Sequence, residues 1–206
     1  TYNVSDSQGN AATEVTRTIN VVDTTPPVIT LLGDANITLE VGTAYNDPGA
    51  TAYDTYDGVL TDDINTTGTV NKDIVDSYTI NYDVSDTAGN AATTVTRTIN
   101  VVDTIPPVIT LLGDANITLE VFNGYSEPGF TAIDNYDGDI SDNVVITGTV
   151  DTNTIGVYTI NYNVSDNNGN AATQVTRTIN VVDTTPPIIT LIGLSNETIE
   201  FLSSYT

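Results

Sequence analysis

Apolar and polar positions alternate over short stretches of this chain, and the alternation has the period of a strand. In Tyr78-Thr-Ile-Asn-Tyr-Asp-Val84, the residues Tyr78, Ile80, Tyr82 and Val84 fall on one face. Val95, Arg97, Ile99 and Val101 alternate with Thr94, Thr96, Thr98 and Asn100. The segment between them, Ser85-Asp-Thr-Ala-Gly-Asn90, is made of turn-forming residues, so the two strands are expected to form a hairpin. Upstream, Val28–Leu32 and Ile37–Val41 read as short strands broken at Gly33-Asp34-Ala35. A turn follows at Asn46-Asp-Pro-Gly49, then a strand over Ala50–Tyr53, a loop over Asp54–Gly58 and a strand over Asn65–Val70. Heptads and helix caps are missing, and the abundance of Thr, Val, Ile and Tyr suits strands.

The pattern repeats. Asp-Thr-x-Pro-Pro begins at Asp23, Asp103 and Asp183, at intervals of 80 residues. The Ser-Asp pairs at Ser5, Ser85 and Ser165 keep the same interval, as do Arg17, Arg97 and Arg177. Gly9–Val41 recurs as Gly89–Val121 with only Glu14→Thr94 and Thr25→Ile105 changed. Such fidelity marks one structural unit used serially. The expected fold class is all-β: tandem β-sandwiches in a head-to-tail array. The phase gives repeats at 23–102 and 103–182, flanked by 1–22, the final hairpin of an upstream repeat, and 183–206, the first strands of a downstream one. The chain is thus expected to be a window on a longer array. Neighbouring repeats are its natural partners.

Strand direction places the loops. If the last strand of a repeat runs away from the linker, its hairpin partner runs back, and so does Ala50–Tyr53. The Ser85–Asn90 turn, the Asp54–Gly58 loop and the linker at Asp23 are then expected at the same pole of the sandwich. Each is acidic. Asp23, Asp54, Asp57 and Asp86 are therefore candidate metal ligands in the first repeat, and Asp103, Asp134, Asp137 and Asp166 in the second. Like charges gathered at one pole repel unless a cation is present. Calcium suits them, because it accepts about six to eight oxygens in flexible geometry. The plainer alternative is that these acids are solvated turn residues.

Composition narrows the function. The chain carries 27 acids against 4 bases and lacks Cys, His, Met and Trp. No thiol or imidazole is available for catalysis, so no enzyme is expected. A net charge of −23 opposes nucleic acid and anionic membrane surfaces. No apolar run approaches the roughly 20 residues of a membrane span. Arg17, Arg97 and Arg177 are expected to pair with an acid or to cover apolar surface with their stems. Asn3, Asn36, Asn65, Asn116, Asn163 and Asn196 open N-glycosylation patterns, which a chain rich in Asn and Thr also produces by chance.

In order along each repeat stand Asp-Pro-Gly-Ala (or its variant), Asp-x-Tyr-Asp-Gly and Ser-Asp-x-x-Gly-Asn. With these motifs the chain resembles bacterial immunoglobulin-like repeats of surface proteins. It is most similar to the immunoglobulin-like domain named from a pesticidal crystal protein, and more distantly similar to the hyalin repeat. The resemblance implies an extracellular or cell-surface array without activity of its own, as in a stalk, filament or adhesin shaft. It also implies calcium at domain junctions, as in some related repeats. On that ground Asp139, which replaces Val59 of the first repeat, joins the candidate ligands. Self-assembly into fibres is a further expectation, with divalent cations offsetting the negative repeats. The alternative is a carbohydrate- or protein-binding accessory module of a secreted protein. In that case Tyr56 and Tyr136 are the candidate contact residues.

Overall fold

A computed structural model describes residues 1–193, 195–196 and 198–201, and the chain divides into two compact units, Thr1–Thr104 and Ile105–Thr206. The first unit contains one sandwich. Its strands are β1 (Val28–Leu31), β2 (Asn36–Glu40), β3 (Ala50–Asp54), β4 (Gly58–Val59), β5 (Asn65–Thr67), β6 (Asp76–Asp83) and β7 (Val95–Val102). One sheet has the order β1-β3-β4 and the other β2-β7-β6-β5. All neighbours are antiparallel except β2 and β7, which are parallel. The chain crosses between sheets at Leu32–Ala35, where Gly33 takes a left-handed φ of 75°.

The alternation seen in sequence is the alternation of burial. Ile80, Tyr82, Val84, Ile99 and Val101 turn inward and meet Ile29, Ala52 and Leu60 from the facing sheet. Three features differ from the sequence expectation. Asp54 ends β3 instead of opening a loop, and Gly58–Val59 folds back on it as the short strand β4. A single 3₁₀ turn follows at Thr61–Asp63. The strand expected over Asn65–Val70 stops at Thr67, where Gly68 turns to a φ of 104° and lies so close to Thr79 that a Cβ there would stand 2.2 Å from its carbonyl oxygen.

The second unit repeats the plan with β8 (Val108–Leu111), β9 (Asn116–Glu120), β10 (Phe130–Asp134), β11 (Gly138–Asp139), β12 (Val145–Thr147), β13 (Gly156–Asn163) and β14 (Val175–Val182). Its sheets are β8-β10-β11 and β9-β14-β13-β12, again with one parallel pair, β9 and β14. Residues 1–22 are held by the bridges Tyr2↔Val15 and Ser5↔Ala11. The described residues between 183 and 201 contain no strand, and 202–206, also expected to begin a further repeat, lie outside the described residues.

Each sandwich closes around a buried arginine. Arg97 is 0 % exposed. Its guanidinium pairs with Asp47 and donates to the Tyr82 hydroxyl at 2.9 Å. It also donates to the carbonyls of Leu32 and Gly49, while Nε reaches the Asp34 carbonyl at 2.9 Å. One side chain thus joins the sheet crossing, the Asp-Pro-Gly turn and β6. Arg177 is equally buried, pairs with Glu127 at 2.7 Å and donates to Leu112 and Gly129. Burial opposes ionisation of Asp47, but hydrogen bonds from Tyr82, Gly49 and Tyr45 and the charge of Arg97 outweigh it and hold the carboxyl low.

Asp47 is partly exposed but Arg97 is not, so removing the carboxylate leaves a buried charge uncompensated. Asp47→Ala is expected to cost roughly 3–5 kcal/mol in the first repeat. Adding Arg97→Met should recover much of that loss, since an apolar replacement of both partners leaves no stranded charge. Urea unfolding of the single and double variants measures both effects.

Candidate metal centre

Three acids meet at one pole of the first sandwich. Asp23 comes from the segment before Pro26-Pro27, Asp54 from the end of β3 and Asp86 from the turn between β6 and β7. One carboxylate oxygen from each lies within 4.8 Å of the other two.

Local hydrogen bonding fixes how each carboxylate is turned. Asp54 Oδ1 accepts from the backbone N–H groups of Tyr56 at 2.7 Å and Asp57 at 3.0 Å. Asp23 Oδ1 accepts from Thr25 N–H at 3.0 Å. These are Asx turns, in which a short carboxylate stands in for a backbone carbonyl. In both residues the second oxygen, Oδ2, is buried and has no hydrogen-bond partner among the described residues. Asp54 is only 1 % exposed, so water offers its bare oxygen little relief.

Asp86 is held differently. Its Oδ1 accepts from Asn90 N–H and its Oδ2 from the Asn90 amide, both at 2.7 Å. The same amide also donates to the Asp23 carbonyl at 3.3 Å, which joins the hairpin turn to the entering chain. Burial pushes the Asp86 carboxyl up, but the Asn90 side chain and the backbone amides of Asn90, Gly89 and Ala88 more than offset it, leaving it below the usual range.

Asp57 stands outside the cluster. Its carboxylate accepts from Thr87 N–H at 2.8 Å and from the Thr87 hydroxyl at 2.9 Å, tying the loop after β3 to the hairpin turn. In the second repeat Asp134 repeats the geometry of Asp54. Its Oδ1 accepts from Tyr136 and Asp137, and its buried Oδ2 lacks a hydrogen-bond partner among the described residues. Asp166 is held by Asn168 and Asn170 as Asp86 is by its turn, and its carboxyl is likewise lowered against the effect of burial. Asp137 binds Asn167. Asp139 bonds the backbone and hydroxyl of Ser141 at 3.0 and 2.6 Å, so its carboxylate serves the turn after β11. Asp103 follows β7 at the end of the first unit and is buried.

Sequence reasoning missed two sets of acids. Asp47 and Glu127 were legible only as turn residues, though each stands before Pro-Gly in a repeat whose one recurring base needs a partner. Glu40 and Glu120 end β2 and β9 and hold the chain that leaves each repeat, an arrangement carrying no motif.

The two sandwiches are immunoglobulin-like units in tandem, each with an acid-rich pole and no cluster of catalytic type among the described residues. The family model described as "Bacterial surface protein, Ig-like domain" matches residues 29–101 and 109–181, and the chain belongs to that family. It is similar to hyalin of Lytechinus variegatus, with 35% identity over 94% of this chain and 38% of that protein. It is also similar to hyalin of Strongylocentrotus purpuratus, with 30% identity over 98% of this chain and 18% of that protein. The chain therefore spans less than two fifths of these relatives. A solved lipoprotein from Bacteroides thetaiotaomicron is 37% identical over 39% of this chain and 40% of its own, with a TM-score of 0.36.

The lowered carboxyls set a pH dependence. A folded carboxylate that holds its proton less tightly than in the unfolded chain stabilises the fold above the unfolded pKa. That stability is lost as pH falls through the lower, folded value. For Asp86 and Asp166 the loss begins near the ordinary value of 3.8 and proceeds below it. Urea midpoints measured in chelator from about pH 6 downward should fall through this window. Asp86→Asn and Asp166→Asn should flatten that limb.

Proposed function

We propose that this chain is part of a non-catalytic extracellular array, a stalk, filament or adhesin shaft, whose repeats are stiffened by calcium. The observation that supports the reading most is the bare, buried Oδ2 of Asp54, set among carboxylates from two other segments. Two carboxylates about 4 Å apart repel by about 4 kcal/mol at an effective dielectric of about 20. A divalent cation turns that repulsion into attraction. The donor set is all oxygen, with Asp23 and Asp54 oriented by Asx turns and Asp86 by Asn90, which suits a hard cation. Calcium fits better than magnesium, which demands stricter octahedral geometry.

Position gives the ion its mechanical effect. Asp23 belongs to the chain entering the sandwich, whereas Asp54 and Asp86 belong to its framework. An ion shared among them fastens the entering segment to the pole, and proline at Pro26 and Pro27 already limits that segment's freedom. The family of surface Ig-like domains supports placement outside the cell. The repeat of the same acids in each unit supports a structural role, since the acids sit in turns that every repeat needs.

Asp54→Asn with Asp134→Asn tests this reading, because Asn keeps the Oδ1 acceptor of each turn and removes only the charge. Calcium at about 100 times its Kd is expected to stabilise the wild type by about 2.7 kcal/mol. That corresponds to a rise in Tm of roughly 10–20 °C for a repeat of this size. In chelator the double variant should melt above the wild type, and calcium should no longer raise its Tm. A wild-type Tm indifferent to calcium and chelator overturns the metal reading.

A further inference from the structure

At the opposite end of each sandwich a second acid grips the chain as it leaves. Glu40 is the last residue of β2 and stands beside Val102, the last residue of β7, in the parallel ladder. The ladder ends when Val41 N–H donates to the Val102 carbonyl at 2.7 Å. Beyond that point the Glu40 carboxylate takes over. Its two oxygens accept from Thr104 N–H at 3.1 and 3.2 Å, and Oε2 accepts from the Thr104 hydroxyl at 2.6 Å. Glu120 does the same to Thr184, with its oxygens 2.9 and 3.1 Å from N–H and 2.7 Å from the hydroxyl. There the next residue is also a threonine. Thr185 donates its N–H at 3.1 Å and its hydroxyl at 2.8 Å to Glu120 Oε1. In the first repeat the matching position is Ile105, which has no hydroxyl.

We infer that Glu40 and Glu120 are positioning residues that set the direction in which the chain leaves each sandwich. At the second exit Thr185 adds a hydroxyl contact to Glu120 that Ile105 cannot make to Glu40. The acceptor is a side chain of the repeat being left, and the hold needs no ion. It rests on the proposed function only in treating the linkers as the parts whose stiffness matters.

An isolated surface contact between charged groups contributes little. Here one carboxylate accepts from both the N–H and the O–H of a single residue, immediately after a strand ladder that has already fixed both backbones. Little entropy remains to be lost, and hydrogen bonds to a charged acceptor are about twice as strong as neutral ones. The exposure of Thr104 and Thr184 sharpens the contrast. Neither is buried by packing, so the carboxylate is what restrains them.

Hydrogen exchange of the Thr104 and Thr184 amides in the full chain reads this hold directly, measured in chelator and again in calcium. Glu40→Ala should speed exchange at Thr104 by about tenfold or more, and Glu120→Ala should do so at Thr184, with a smaller effect at Thr185, whose N–H also donates to Asp183 at 3.2 Å. Glu→Gln at either position, which keeps one acceptor oxygen, should fall between. Ile105→Thr should slow exchange at Thr104, bringing it closer to the rate at Thr184. The amides within β7 and β14 should be unchanged. Because the effect is expected in chelator, a failure of calcium binding leaves it standing. Unaltered exchange at Thr104 and Thr184 in the alanine variants overturns the inference. So does a loss of protection spread evenly along β7 and β14, which would mark a merely structural role.

Discussion

The burial of one guanidinium in each sandwich constrains nearly everything around it. A cation fully removed from water must find an anion and several carbonyls within reach, or the fold is lost. Arg97 finds its partners in three segments that are far apart in sequence: the sheet crossing, the turn at Asp47-Pro48-Gly49 and β6. Two of these partners, the carbonyls of Leu32 and Asp34, lie in the crossing that leads from β1 into β2. The substitution of Glu127 for Asp47 in the second repeat lengthens the acid by one methylene. Arg177 keeps an ion pair and the carbonyls of Leu112 and Gly129, but the counterparts of the Arg97 bonds to Asp34 and Tyr82 are not made, and Arg177 Nε and the Tyr162 hydroxyl have no hydrogen-bond partner among the described residues. The demand for a counter-charge is met in both repeats, while the side chain that meets it varies.

Charge is handled by the same logic at the two poles. Aspartates at the entering pole each commit one oxygen, or both, to turn amides. What remains is a set of carboxylate oxygens directed by backbone geometry and not by chance rotamers. Glutamates at the leaving pole reach further and capture a threonine beyond the last ladder bond. Glu120 is lowered to about 2 by the hydroxyl and amide of Thr184 and then by Thr185, which records how fully its charge is used. An acidic protein of this kind does not simply scatter its charges over the surface. Many of them terminate loops or strands.

Much of this was legible in the sequence, for a physical reason. The hairpin of β6 and β7 shows because a half-buried strand must alternate, and Ile80, Tyr82, Ile99 and Val101 do. The repeat is legible because identical units require identical cores. Strand direction then gathers Asp23, Asp54 and Asp86 at one pole without any coordinate. Other features leave no local trace. The parallel pairing of β2 with β7 joins strands some sixty residues apart, and Asp47 looks like any acid before Pro-Gly. Asp54 and Asp57 are three residues apart, one at the end of β3 and the other in the turn that follows. Only the hydrogen bond from Thr87 separates the one that faces the cluster from the one that braces the turn. Gly68, where β5 has stopped, lies against a carbonyl eleven residues away, which no window of neighbouring residues reveals.

The parallel ladder between β2 and β7 also decides how a repeat meets tension. Pulling on the two ends of a repeat draws the strand near its beginning against the strand at its end, along their common axis. Five residue pairs, from Asn36↔Thr98 to Glu40↔Val102, then lie across the line of force. Their hydrogen bonds are loaded in shear and must yield together, whereas an antiparallel hairpin pulled from its open end would unzip one bond at a time. Resistance to stretching is in this sense a property of topology, set by the direction in which β2 was made to run.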